Sequence, residues 1–286
     1  MKTIVIGNGP AGISAALYLR RAGMDVTVLA KDGGALLKAE AIENYYGFAE
    51  PISGAELHRR GVEGAKRLGC EIREEEVFAI NFEDTLVVQT DKATYAADAV
   101  IMATGAARKT LPIKGLAELE GSGVSYCAVC DAFFYRKKNV AVLGSGEYAL
   151  HEAQILAQTS GSVTILTNGA EYTGGELPEN IALDTRKIEA IEGEMAVSGV
   201  RFEDGDALQV SGVFVAVGVA SSAELARKIG AEVEGSRVVV DEDGATNVPG
   251  LYAAGDCIGG LLQISTAVAE GAKAAMAAIR YLRSMQ

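Results

Sequence analysis

Short runs of aliphatic and β-branched residues alternate along this chain with longer stretches whose apolar positions recur at helical spacing. Residues 2–6 (KTIVI) read as a buried strand, residues 13–21 as a helix and residues 24–29 as a second strand. A helix follows over 53–68, with Ser53 as N-cap and Glu56 placed for a capping box. Between 77 and 95 the pattern shortens to strands and turns, such as 86–88 and 93–95, and a buried strand follows at 99–102. A hinge at 111–115 opens a second unit with a strand at 139–143, a helix at 150–158 and a strand at 163–166. After a polar turn at 241–247 come a strand at 251–256 and an Ala-rich helix over 264–282. The apolar positions of that last helix are too continuous for a solvated surface.

Two glycine turns punctuate this pattern at matching places, Gly7-Asn8-Gly9-Pro10-Ala11-Gly12 and Gly144-Ser145-Gly146-Glu147-Tyr148-Ala149. Each follows a strand and opens a helix, the setting in which GxGxxG has a physical meaning. The first glycine permits the turn, the second lets a pyrophosphate approach and the third lets helix pack on strand. The order predicts an α/β fold of two Rossmann-like domains, each a three-layer ββα dinucleotide-binding unit, the second inserted into the first. The boundaries expected are 1–114 with 247–286 for the first domain and 115–246 for the second. An acid that would hold a ribose is expected at the end of the 24–29 strand; Ala30 stands there, with Asp32 two residues on.

The chain has 286 residues, 49% of them hydrophobic, and 34 glycines, a balance that suits large cores with close backbone packing. With 38 acidic against 26 basic residues the net charge is −12, which argues against nucleic acid as a partner. Gly7–Gly12 interrupts the apolar start, so no secretory leader is expected, and no apolar run reaches membrane-spanning length. A cytoplasmic protein is the expectation.

Cys127-Ala128-Val129-Cys130-Asp131 is the stretch with the most chemistry. Cysteines at i and i+3 place both sulfurs on one side of a turn, close enough for a disulfide. At the start of a helical turn the free N–H groups and the dipole favour a thiolate. Asp131 is a carboxylate able to move protons as the pair opens and closes. The alternatives are half a zinc site or two buried thiols. Zinc needs four ligands, and Cys70, Cys257, His58 and His151 are not paired at ligand spacing, so no metal is expected.

Together these landmarks resemble the low-molecular-weight thioredoxin reductases over essentially the whole chain. The matching pieces are GNGPAG at 7–12, IENYYGF at 42–48, ATGA at 103–106, CAVCD at 127–131 and GSGEYA at 144–149, then GVFVAVG at 212–218, VPGLYAAGDC at 248–257 and LQISTAVAEGAKAA at 262–275. The resemblance implies non-covalent FAD in the split first domain, the disulfide in the inserted one, thioredoxin as substrate and a homodimer. The FAD contacts it implies are Gly7, Gly9, Pro10, Ala11, Gly12, Gly34, Leu36, Asn44, Val77, Thr104, Gly105, Gly255, Asp256, Gln263 and Ile264. It also implies that Cys130 meets the flavin, Cys127 forms the mixed disulfide with thioredoxin, and Asp131 donates the proton.

One departure bears on the electron donor. NADPH-using members carry His-Arg-Arg and a further Arg after the second strand of the inserted domain; here Leu166-Thr167-Asn168-Gly169-Ala170-Glu171 stands there. A dianionic phosphate needs charge-assisted donors. The next basic residue after Val163 is Arg186, too far along the chain to be assumed nearby. No acid ends the strand either, so the second glycine turn reads as inherited fold and NADPH is not expected as cofactor. In these respects the chain is similar to the ferredoxin-dependent flavin thioredoxin reductases, whose GDC triplet matches Gly255-Asp256-Cys257, and ferredoxin is the expected donor. Arg136-Lys137-Lys138 and Arg108-Lys109 offer a basic dock, although 136–138 reads more readily as a solvated turn before a strand. The alternatives are an NADPH- or NADH-dependent reductase, an O₂-dependent dithiol oxidase, and a flavin redox sensor without turnover. Cys257 is expected to pack as a small apolar residue, Cys70 as an ordinary semi-buried thiol, and Tyr45, Tyr46 and Phe48 either to shield a flavin or to fill core beneath a loop.

Overall fold

The computed structural model describes residues 1–106, 111–218 and 220–285. Arg108 and Lys109, one of the two basic stretches noted above, lie outside them. The chain divides into two compact units, Met1–Ala107 with Ser221–Gln286, and Arg108–Ala220.

The first unit begins with β1 (Lys2–Ile6), α1 (Pro10–Arg21) and β2 (Asp25–Ala30), then α2 (Gly54–Arg67) and β3 (Glu71–Glu74). A small antiparallel sheet of β4 (Val77–Phe82), β5 (Leu86–Thr90) and β6 (Thr94–Ala97) precedes β7 (Ala99–Met102). Helix α1 starts three residues before the pattern predicts, because Pro10 sits in its first turn, where a missing N–H costs nothing. Ser53 caps α2 as expected, its Oγ accepting the Glu56 N–H at 3.2 Å. Glu56 does not return the bond: its carboxylate pairs with Arg59 and Arg60 at 2.7 Å each.

The second unit holds β8 (Val124–Ser125), α3 (Ala128–Asp131), β9 (Asn139–Leu143), α4 (Glu147–Ala157), β10 (Ser162–Leu166) and β11 (Ile181–Asp184). A second antiparallel sheet, β12 (Ile188–Glu192), β13 (Gly199–Phe202) and β14 (Ala207–Gln209), precedes β15 (Gly212–Val215). The chain then returns through α5 (Ser222–Lys228), the hairpin β16 (Val233–Glu234) and β17 (Arg237–Val238), then β18 (Leu251–Ala253) and α6 (Ile264–Ser284).

Each unit is built on a five-stranded parallel sheet, β18-β7-β1-β2-β3 in the first and β11-β10-β9-β15-β8 in the second. The α/β, Rossmann-like fold read from the pattern is therefore present in both. The unit boundaries differ from those expected. Residues 111–114 belong with the second unit, where the Ile191 N–H donates to the Lys114 carbonyl and Ile113 joins the core. Residues 221–246 belong with the first: Ser222 N–H donates to Thr104 Oγ1 at 2.9 Å and Lys228 Nζ to the Phe78 carbonyl at 3.0 Å.

The continuous apolar character of α6 has a packing cause. A Cβ at Gly271 would come within 2.1 Å of the Ala11 carbonyl, so α6 and α1 meet through small residues at backbone distance. Ala267, Ala274, Ala275 and Ala278 of α6 are buried in the same core as Ala11. Cys70 and Cys257 are both buried, Cys70 in the same core, so Cys70 is more deeply placed than expected. No helix among the described residues is long and apolar enough to cross a membrane.

Candidate functional site

The first glycine turn divides its labour among its three glycines. A Cβ at Gly7, where φ is +108°, would lie 2.2 Å from the Ala103 carbonyl, and one at Gly12 would lie 1.9 Å from the Gly7 carbonyl. Both are therefore packing glycines. Gly9 is different: nothing lies within 4 Å of its Cβ position, and as N-cap of α1 it supplies no side-chain cap. The helix thus presents uncapped N–H groups to an open face, the form in which helix starts hold phosphates. Asn8 Oδ1 and His58 Nε2 are buried there without a hydrogen-bond partner, and burial holds the His58 imidazole below its usual range.

Other residues expected to hold FAD fall in the same unit. Pro10 and Ala11 open α1, and Gly34 and Leu36 lie in the 3₁₀ turn Gly34–Lys38. Asn44 Nδ2 donates to Gln263 Oε1 at 2.9 Å, tying the 42–48 loop to the start of α6 and its first residue Ile264. Val77 is buried at the head of β4. Thr104 is pinned from α5 by Ser222, with the two hydroxyls 2.8 Å apart, and Gly105 has open space at its Cβ. Gly255, at φ +81°, donates its N–H to Glu270 Oε2 at 2.9 Å. Burial holds the carboxyls of both Asp256 and Glu270 above the usual range. Ser222 and Glu270 were not singled out in the sequence; Glu270 is the one acid within the LQISTAVAEGAKAA stretch, which was the available signal. Tyr45 and Phe48 are half-buried and stack at 6.2 Å, whereas Tyr46 is 99% exposed, so this cluster is not core.

In the second unit Cys127 and Cys130 form a disulfide with Cα atoms 5.3 Å apart. Cys127 is the N-cap of α3, and its Sγ accepts the Cys130 N–H at 3.1 Å. Asp131 closes the turn, its N–H donating to the Cys127 carbonyl. Ser125, at the end of β8, does two things: its Oγ accepts the Cys127 N–H at 3.1 Å and donates to Asp131 Oδ2 at 2.7 Å. Glu152, on α4 and only 1% exposed, accepts the Ala128 N–H at 2.9 Å. Neither Ser125 nor Glu152 was found from the sequence, because each is separated from its partner by a turn or an element. Cys127 is 4% exposed while Cys130 is exposed. Phe133 and Phe134 beyond the turn are 70% and 66% exposed. Arg136–Lys138 forms an exposed turn, Arg136 over Phe133 and Lys138 over Tyr135. No group of three or more His, Cys, Asp or Glu among the described residues could hold a metal ion.

The second glycine turn keeps its packing role, a Cβ at Gly144 meeting the Ala216 carbonyl at 2.2 Å and Ala149 Cβ at 2.8 Å. Its outer face is occupied by the chain itself. The Thr173 N–H donates to the Ser145 carbonyl at 2.7 Å, Gly174 lies against the Gly146 carbonyl and Gly175 against the Glu147 carboxylate. Arg186 is closer to this region than its sequence distance suggested. Because β11 pairs in parallel with β10, Thr185 and Lys187 run beside Asn168 and Gly169, and the Lys187 side chain packs on Gly169. Arg186 itself is committed to Asp184, Asp204 and Asp206 at 2.7, 3.3 and 3.0 Å, with its guanidinium 4.0 Å over Phe202.

The family model for pyridine nucleotide-disulphide oxidoreductases matches residues 1–271. The chain belongs to this family. Within it the chain groups with the low-molecular-weight thioredoxin reductases. It is 37% identical to the thioredoxin reductase of Mycolicibacterium smegmatis, with 98% of this chain and 96% of the relative covered. Among solved structures it is similar to an atypical thioredoxin reductase from Desulfovibrio vulgaris Hildenborough, at 41% identity and TM-score 0.93, covering 99% and 98% of the two chains. It is also similar to a ferredoxin-flavin thioredoxin reductase from Clostridium acetobutylicum, at 32% identity and TM-score 0.75 over 99% and 98%.

Proposed function

We propose that this protein is an FAD-dependent disulfide reductase that reduces thioredoxin through the Cys127–Cys130 pair. The observation that carries the reading is the disulfide itself, seated on a helical turn beside a carboxylate held by Ser125. The residues of the first unit suit FAD, since Gly9 leaves an open face before uncapped N–H groups and buried polar atoms of Asn8 and His58 lack protein partners. Gly7, Gly9, Pro10, Ala11, Gly12, Gly34, Leu36, Asn44, Val77, Thr104, Gly105, Gly255, Asp256, Gln263 and Ile264 would hold it. FAD, when bound, supplies the electron pair that opens the disulfide.

Opening the disulfide takes two electrons and two protons and leaves two thiols. The Cys130 N–H favours negative charge on the Cys127 sulfur, which suits Cys127 as the thiolate that attacks the partner disulfide. One partner sulfur leaves as a thiolate and takes a proton, the role assigned to Asp131. Cys130 then attacks Cys127 Sγ, which restores the disulfide and releases the second partner sulfur as a thiolate. Cys127 is buried in the disulfide form, so the turn must open after reduction for this order to hold.

For the electron source, the comparisons support a pyridine nucleotide better than ferredoxin: the family model carries that donor in its description and the curated relative is a thioredoxin reductase without qualification. A second reading, a donor such as ferredoxin, is favoured by one observation, the 172–175 backbone lying on the second glycine turn while three carboxylates hold Arg186. Anaerobic mixing of the FAD-loaded protein with NADPH, NADH or reduced ferredoxin separates them. Prompt flavin bleaching by NADPH establishes the first reading, and bleaching by ferredoxin alone establishes the second. If any donor bleaches the flavin and no thiols then appear on thioredoxin, the substrate assignment is overturned. Location in the cytoplasm and a homodimer are further parts of this proposal.

A further inference from the structure

Glu152 is a buried carboxylate that the reaction as written does not use. It lies on α4, 1% exposed, and its Oε2 accepts the N–H of Ala128 at 2.9 Å. Ala128 is the residue directly after Cys127 and is itself fully buried. The Cys127 sulfur and the backbone N–H that follows it are thus held by groups of different character. The Cys130 N–H donates to Sγ and favours a thiolate. The Ala128 N–H is taken by Glu152, and a charged carboxylate there would place negative charge against the residue next to Cys127. Like charge disfavours a nearby anion, most strongly where water is excluded. A thiolate made less stable in the reduced protein makes the disulfide harder to reduce and the dithiol the stronger reductant.

We propose that Glu152 is a positioning residue that anchors the cysteine turn and keeps the reduction potential of the Cys127–Cys130 couple low. The inference rests on the redox reading of that pair, and deepens it by naming what sets its poise. Ser125 and Asp131 act on the other side of the turn, through the Cys127 N–H and the Ser125 hydroxyl, and are not part of this contact.

The test is a redox equilibrium of the full-length protein in buffers of oxidised and reduced dithiothreitol, with thiols counted after acid quenching, for the parent and Glu152→Gln. Glutamine keeps an acceptor for Ala128 and removes the charge. The expected result is at least a tenfold shift toward the dithiol, about 30 mV in potential for this two-electron couple. Glu152→Met, uncharged and of similar length, repeats the measurement should the glutamine variant not accumulate, with the same shift expected. A contact that serves folding alone would lower the melting temperature and leave the equilibrium constant where it was, and that result overturns the inference. If the parent protein shows no two-electron thiol–disulfide transition, the redox reading itself falls, and the inference falls with it.

Discussion

The Cys127 sulfur accepts the backbone N–H of Cys130 at 3.1 Å. In the proposed exchange the proton side falls to Asp131, whose carboxylate the Ser125 hydroxyl steadies at 2.7 Å. Asp131→Asn should lower turnover with thioredoxin by about a hundred- to ten-thousand-fold, the range of a lost general acid–base group. Donor-driven flavin reduction should stay unchanged, as stopped-flow absorbance would show. Ser125→Ala should cost less, roughly tenfold or ~1.4 kcal/mol, because it loosens the carboxylate without removing it. The other two thiols behave differently. Burial pushes Cys257 up to about 11 and raises Cys70 as well. At mildly alkaline pH burial thus keeps both protonated and poorly nucleophilic. Iodoacetamide at pH 8 should therefore label neither in the folded protein and both after denaturation, a difference that peptide mass mapping reads directly.

At the scale of elements, the seam between α1 and α6 gives a case in which two effects of opposite sign compete. Replacing a helical glycine with alanine adds up to ~1 kcal/mol through helix propensity. At Gly271 the new methyl would meet the Ala11 carbonyl at 2.1 Å, and forcing apart such a contact costs about 1–3 kcal/mol. Gly271→Ala should therefore lower the melting temperature by several degrees. Gly64→Ala, within α2 and with nothing inside 4 Å, should raise it slightly. Calorimetry of the two variants checks the sign of each. The strands β1, β7 and β9 were legible to the residue, since continuous β-branched runs between turns admit one reading. Helix starts were less legible: α1 and α4 each begin three residues early because the glycine turns supply their first turn. The sheet β12-β13-β14 was not legible, because its strands are short, polar on one face and broken by a bulge between Ile188 and Ala190. The covering loop at Tyr172–Gly175 left only a Tyr-Thr-Gly-Gly sequence as its sign.

Across the whole molecule, the sequence told most where chemistry is local and least where it is brought together by the sheet. The cysteine turn and both glycine turns could be read because five or six adjacent residues make each. Glu152 and Arg186 could not, since α4 delivers the first to Ala128 and the pairing of β10 with β11 delivers the second beside Asn168 and Gly169. The return of 221–246 to the first unit was equally hidden, because it depends on contacts of α5 with Thr104 and Phe78, more than a hundred residues away in the chain. The central claim is that electrons leave this protein through Cys127 and Cys130. Its most direct test mixes the FAD-loaded protein, reduced with dithionite and freed of excess reductant, with oxidised thioredoxin under argon. The account predicts flavin reoxidation with two thiols gained per thioredoxin for the parent, and no thiols for Cys127→Ser although its flavin is reduced equally. Equal thiol release by Cys127→Ser would contradict it.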